Sequence, residues 1–263
     1  MSTTIPRGAA ELIAESDNLS AALDGYGPSE IDGVYTRQGS IVTPQGIEIV
    51  GEGAGVWIDE HATVELTSNI RGRNSSLVIG RRCRLRKLTV HIDGDDIAVV
   101  IGAGSTVEQA VILVAPAGNS VVIGDDAMIS SGVVIRTDDG HSVWDRRTGE
   151  KLSEPAPVRI GTHVWLGNGS RIGKGVTIGD GTVVGQQSIM TKNADAHSSY
   201  AGIPARKLRD DVAWSRTRSF NDIPGTVLFV AELDKDERAH PKQSLIRKVR
   251  RLLRVRLDRR QRP

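Results

Sequence analysis

Between Ile160 and Met190 the hydrophobic positions keep a strict six-residue period: Ile160, Leu166, Ile172, Ile178, Val184 and Met190. Glycine follows each of the first five, and the fourth residue after each aliphatic is small or β-branched: Val164, Ser170, Val176, Thr182, Ser188 and Ala194. A helix repeats near 3.6 residues and a strand near two, so a period of six is neither. It predicts a solenoid in which each hexad makes one short strand and a corner, and three hexads close a triangular turn. The aliphatic points into the prism and the small residue packs beside it near the corner. Glycine turns the edge where a Cβ would be strained.

Upstream the pattern continues in looser form. NSSLVIG, DDIAVVIG and GNSVVIG end at Gly80, Gly102 and Gly124, two equal steps along the chain. Each step is longer than three hexads, and the excess predicts a four-residue bulge at one corner of successive turns. The bulges fall around Gly94-Asp95 and Gly118-Asn119, residue types that suit turns. GVWIDEHATV, from Gly55, reads as an earlier and more degenerate turn. Ile123, Ile129 and Ile135 hold the hexad register, which then lapses. Residues 136–157 (RTDDGHSVWDRRTGEKLSEPAP) carry nine charges before Val158 resumes it. One polar loop ejected from a regular wall points to function. Residues 8–24 read as a short N-terminal helix capping the open first turn, whose edge would otherwise stay unpaired.

Composition agrees with short, similar strands. Of 263 residues 29 are glycine, and the rings number only four Trp, three Tyr and two Phe. No stretch reaches the roughly 18 apolar residues of a membrane span, and the N-terminus lacks a signal pattern, so a cytoplasmic protein is expected. The single cysteine, Cys83, excludes a disulfide framework and a cysteine zinc site. The net charge of +2 hides an asymmetry: residues 242–263 hold ten Lys/Arg against Asp258, on an otherwise acidic body. Within that tail Leu245, Ile246, Val249, Leu252, Leu253 and Leu257 form one stripe at helical spacing. A basic amphipathic helix over 242–260 packs on the solenoid or a sister subunit, or lies on an anionic membrane. Nothing else in the chain points to nucleic acid.

The tandem hexads resemble the left-handed parallel β-helix of the hexapeptide acyltransferases. The finer pattern comprises the bulged turns, IRTDDGHSVWDRRTGE, VRIGTHVWLGNGSRIGKGVTIGDGTVVGQQSIMTK, YAGIPARKLR and Trp214. It is similar to the bacterial O-acetyltransferases of capsule, O-antigen and exopolysaccharide synthesis over roughly residues 48–216. The resemblance implies a mainly β, left-handed parallel β-helix over 46–205, between an N-terminal cap segment (1–45) and a helical basic tail (206–263). It further implies acetyl-CoA as donor, a sugar or polysaccharide hydroxyl as acceptor, no metal, and a homotrimer with sites between subunits. Gln186-Gln187 stand where the family has small residues, and His197-Ser198-Ser199 where prolines are frequent.

An alcohol is a poor nucleophile at neutral pH, so a base must take its proton as it attacks the thioester, and histidine suits the task. The resemblance places that base at His141, in Asp138-Asp139-Gly140-His141-Ser142, with Asp139 or Asp138 orienting the ring as a carboxylate does in a triad. Trp165 puts a large ring where the wall usually shows a small or polar residue. Its spacing from His141 matches that of the family tryptophan that lines the active site. That indole would shape the acceptor pocket or support the thioester, with a nearby backbone N–H stabilising the oxyanion. Trp144 is either a second site ring or the loop's own anchor. His163 reads as a solvated or interface corner residue, and His61, His91, His197 and His240 as surface. For coenzyme A, the hexads from Gly167 through Gly185 to Ser188 offer a flat edge for the pantetheine amides, and Lys192 and Arg206 offer charge for phosphates. Two other readings stand beside this one: an acyltransferase acting on a sugar-nucleotide amine or a small alcohol, and a non-catalytic β-helix scaffold. The loop, its histidine and the spaced tryptophan favour the enzyme.

Overall fold

The computed structural model describes residues 4–14 and 25–219; the amphipathic stripe over 242–260 lies outside them. Residues up to Ala213 belong to one compact unit, a parallel β-solenoid of about seven turns. A second unit begins at Trp214, where the Arg216 guanidinium stands 5.8 Å from the Trp214 ring centroid.

Each turn visits three faces. The first is built from the strands Val34–Thr36, Gly55–Ile58, Ser76–Ile79, Ala98–Ile101, Ser120–Ile123, Val158–Ile160 and Thr177–Ile178, stacked in parallel in that order. In the early turns a single long strand (Ile41–Val50, Thr63–Arg71, Arg84–Asp93) runs across the second and third faces. In the later turns the two faces separate into two-residue strands. Met128–Ile129, Trp165–Leu166 and Val183–Val184 form the second, and Arg171–Ile172 and Ile189–Met190 continue the third. Val99 pairs with Val121, a full turn plus the bulge, whereas Ile160 pairs with Ile178 after three bare hexads.

The hexad rule is a rule about the core. All six aliphatics of the Ile160–Met190 series are at most 2% exposed, and the six small residues between them are buried as well. Burying a Leu or Ile side chain contributes about 1.5–3 kcal/mol, so the file of aliphatics down the prism axis is the main cohesive force of the fold.

The first-to-second corner turns not at the periodic glycines but three residues after the aliphatic, in a left-handed backbone that several residue types adopt. At the corner from first to second face, Gly39, His61, Arg82, Gly104, Asp126, His163, Gly181 and His197 all have φ between 52° and 75°. Glycine enters this left-handed region freely, and His and Asp are enriched there among other residues. Three of the six histidines are thereby corner residues. The next position inward is small or β-branched on every turn, and Cys83 is one of these residues. Its thiol donates to the Gly102 carbonyl at 3.2 Å, as the Ser105 hydroxyl does to Gly124 one turn on at 3.3 Å. Burial pushes the Cys83 thiol up to about 12.

The corner from third back to first face carries the expected bulges. Gly72 and Gly94 stand at φ 141° and 137°. A Cβ on Gly72 would lie 1.9 Å from the Gly94 carbonyl oxygen, so stacked turns need glycine here. The 136–157 loop leaves from this same corner.

Three expectations change. The solenoid begins at Val34–Thr36, which pairs in parallel with Val56–Ile58, inside the segment assigned to an N-terminal cap of 1–45. That first turn has Thr36-Arg37, and the second Ile58-Asp59, where the turns from Ile79-Gly80 onward have an aliphatic followed by glycine. Of the helix expected over 8–24, Arg7–Ala14 is described and residues 15–24 lie outside the described residues; the described part does not sit over the open end of the prism. Ile5, Ala9 and Ile13 pack instead with Tyr35, Trp57, Val78 and Val100 on the outside of the first face. Those outward side chains are apolar and require cover, which the amphipathic helix supplies. Finally, Ala205–Arg209 is a strand antiparallel to Ser199–Gly202, so the expected helical tail from 206 starts as the second arm of a hairpin.

Candidate active site

The loop is tied down before it becomes free. Thr137 is fully buried, and its hydroxyl accepts from the Ala115 N–H (3.1 Å) and donates to the Ala115 carbonyl (2.9 Å) one turn earlier. The returning arm donates Ala156 N–H to the Thr137 carbonyl at 2.9 Å, and Gly175 N–H on the following turn donates to Ala156 at 3.2 Å. The neck is thus held between the turns on either side of it. Above the neck the two arms form a hairpin, with Val143 N–H on the Ser153 hydroxyl (2.7 Å) and Leu152 N–H on the Val143 carbonyl (2.7 Å). Asp145 closes the hairpin end by accepting from the Thr148 and Arg147 N–H groups, which holds its carboxyl below the usual carboxylate range. Val143, Trp144 and Leu152 are each more than half exposed on this hairpin.

His141 is exposed on the outgoing arm, directly after Gly140 at φ 78°. The neighbouring aspartates, expected to orient its ring, are engaged elsewhere. Asp139 Oδ2 is bound by Lys174 Nζ at 2.5 Å, and Asp138 faces Arg136 at 3.6 Å. Lys174 comes from the following turn, at the same corner, beside Gly175. The sequence offered no signal for it: an ion pair so distant along the chain arises only when the turns stack.

Trp165 stands on the second face, paired in register with Met128 and Val183, and is 36% exposed while the adjacent Leu166 fills the core. The corner that ejects the loop joins the third and first faces and is opposite the second. Asp139 is anchored at that corner, and two residues span at most about 7 Å. The core of the prism therefore lies between His141 and Trp165 of one chain. His163, two residues before Trp165, has its Nδ1 2.6 Å from Asp126 Oδ2, the equivalent corner residue of the preceding turn.

The residues expected to hold coenzyme A divide into two groups. Gly167 and Gly185 stack on successive turns: a Cβ on Gly167 would meet the Gln186 nitrogen and Val184 oxygen at 2.7 Å, so this edge is bare backbone. Ser188 is buried, and its hydroxyl accepts from the Gly202 N–H of the closing hairpin at 3.1 Å. Lys192 and Arg206 are exposed, and neither is paired with a carboxylate among the described residues. Lys207 differs. Asp195 and Asp210 both bind it, which raises its ammonium and lowers the two carboxyls. Lys192 follows Met190 as Lys174 follows Ile172 and so stands at the third-to-first corner, whereas Gly167 and Gly185 edge the second face and Arg206 lies on the hairpin strand beside it; the structure brings Arg206, but not Lys192, to the side of the glycine edge.

No helix among the described residues is long and apolar enough to cross a membrane. Residues 157–192 match the bacterial transferase hexapeptide family (six repeats). No curated protein matches the chain in sequence. Among solved structures, the polysialic acid O-acetyltransferase OatWY is similar at 24% identity and TM-score 0.57, covering 74% of this chain and 98% of that one. The polySia specific acetyltransferase NeuO is similar at 26% identity and TM-score 0.52, covering 68% and 84%. The chain is thus a β-solenoid whose residues 157–192 carry hexapeptide repeats similar to those of bacterial transferases.

Proposed function

We propose that this protein transfers an acetyl group from acetyl-CoA to a hydroxyl of a sugar or polysaccharide, in sites formed between copies of the chain. The observation that carries the reading is the placement of His141 and Trp165 on opposite sides of one prism. A loop rooted at one corner, with Val143, Trp144 and Leu152 exposed along it, has its apolar surface unsatisfied until it meets a second chain. A closed ring of three copies brings the loop of one to the second face of the next. The likeness to a polySia specific acetyltransferase supports an acceptor of the sugar class.

In this reading His141 removes the acceptor hydroxyl proton as the oxygen attacks the thioester carbonyl. A backbone N–H beside Trp165 stabilises the oxyanion, and collapse expels the coenzyme A sulfur, which leaves as the thiol. Trp165 walls the acceptor pocket. The Gly167–Gly185 backbone edge takes the pantetheine arm, Ser188 fixes the hairpin that closes this edge, and Arg206 meets the phosphates.

The test follows free thiol released from acetyl-CoA across a panel of sugars and oligosaccharides, for the wild type and for His141→Ala. Acceptor-dependent release that falls about 10²- to 10⁴-fold in His141→Ala is the expected result. Equal rates from the two proteins would remove the role given to His141. Absence of acetyl-CoA binding would remove the enzyme reading in favour of a scaffold. A size measurement giving three chains per particle is expected, and a monomer at assay concentration would overturn the shared site.

A further inference from the structure

We propose that Lys174 is a positioning residue for His141, an inference that rests on the reading of His141 as the general base. The outgoing arm of the loop is pinned residue by residue up to the histidine. Thr137 is bonded to Ala115 of the preceding turn through its hydroxyl. Asp138 faces Arg136 at 3.6 Å. Asp139 is bound by Lys174 at 2.5 Å. Gly140 turns the chain at φ 78°, so close to Arg136 that a Cβ there would lie 3.1 Å from its Nη2. His141 is the next residue, between this anchored arm and the hairpin bonds that begin at Val143.

Lys174 also belongs to the corner that holds the returning arm, because its neighbour Gly175 donates to the Ala156 carbonyl. One two-residue corner therefore grips both arms, the outgoing one by a side chain and the returning one by backbone. The other charged groups of the loop roots are already matched: Arg136 faces Asp138, and Lys151 and Glu154 on the returning arm pair with each other at 3.4 Å. Lys174 is the cation left for Asp139.

The pair is partly exposed, with side-chain accessibilities of 26% for Lys174 and 45% for Asp139, so its contribution to global stability is small. Its effect is on placement. Released at Asp139, the short segment between Thr137 and the hairpin at Val143 would let the imidazole shift, and a displacement of about 1 Å in a reacting group costs on the order of a hundredfold in rate. An alkyl chain of similar length cannot replace the charge-assisted hydrogen bond, whereas a guanidinium can.

The experiment compares Lys174→Met, Lys174→Arg, Asp139→Asn and the Lys174→Met/Asp139→Asn double variant in the full chain, by acceptor-dependent thiol release and thermal unfolding. Lys174→Met is expected to lower kcat about 10- to 100-fold, leaving KM for acetyl-CoA within twofold and the unfolding midpoint unchanged. Lys174→Arg should restore most of kcat, Asp139→Asn should match Lys174→Met, and the double variant should be no slower than either single one. Wild-type kcat in Lys174→Met, an equal defect in Lys174→Arg, or losses that multiply in the double variant would overturn the proposal. His141→Ala separates the two ideas. Full activity in that variant sinks the base reading itself, whereas its inactivity beside a normal Lys174→Met sinks only the role of Lys174. Hydrogen exchange of residues 137–143 needs no acceptor: faster exchange in Lys174→Met supports the clamp, and unchanged exchange refutes it.

Discussion

The turns before the loop and the turns after it are two solutions to one packing problem. Before it, each turn exceeds three hexads, strands of nine or ten residues cross two faces in the first three turns, and the surplus is absorbed at the third-to-first corner. After it, the turns are three bare hexads until the last, which is two residues shorter, most strands shrink to two residues, and the same corner is tight. Both halves bury the same file of aliphatics. The difference teaches that this solenoid specifies its core by inward side chains and leaves the length of one corner free. The 136–157 loop sits at the change from one regime to the other, at the corner where extra residues disturb the ladder least. A polar site can be inserted there because the neighbouring turns, through Ala115 and Gly175, carry the neck.

If one core runs through both halves, equal deletions on either side of the loop must cost the same. Leu66→Ala and Leu166→Ala remove side chains that are both fully buried, and each should lower stability by about 2–5 kcal/mol in urea unfolding. A large loss on one side and a negligible one on the other would break the idea of a common core. The corners should behave in the opposite way. Gly72→Ala forces a Cβ against the Gly94 carbonyl at a positive φ and should cost about 2–4 kcal/mol. Gly173→Ala, at the same corner after the loop, meets nothing nearer than the Met190 oxygen at 3.2 Å and should cost less than about 1 kcal/mol. Similar losses at the two glycines would show that the corner is not what distinguishes the halves.

The smallest effect concerns the column of small residues that both halves share. Cys83→Ser keeps a donor to the Gly102 carbonyl, as Ser105 does on the next turn, and should lie within about 1 kcal/mol of wild type at pH 7. The wild type carries an alkaline sensitivity that this variant lacks. The folded-state thiol titrates at about 12 against 9.0 for a free one, so its contribution is complete below pH 9.0 and declines as pH rises toward 12. Denaturation midpoints for the two proteins should therefore diverge over that interval. Parallel curves would mean that Cys83 is not held as a buried thiol.

The hexads from Ile160 to Met190 were legible because each repeats three constraints at once: an inward aliphatic, a small residue at the corner, and glycine on the edge. Periodicity also located the loop, since Arg136 and Val158 bound the interval where the register is lost. The first turn at Val34–Thr36 was not legible, because one turn without the aliphatic-glycine step offers no repeat to detect. The N-terminal helix reads as a short helix capping the first turn, but its site on the first face depends on outward rings, Tyr35 and Trp57, from strands one turn apart. The histidines behaved likewise. Composition counts six, while the stacking of corners separates His61, His163 and His197, held by a left-handed backbone, from His141 on its loop.

What the sequence determined by itself is the repeat, and through it the direction each side chain takes, because a period of six acts on every turn independently. What only the tertiary structure decided is which turns meet at which corner. That choice hands Asp139 to Lys174 from far along the chain, and it places His141 and Trp165 on opposite sides of one prism. Contacts of that kind depend on the number of residues each corner absorbs, a quantity that no single hexad encodes.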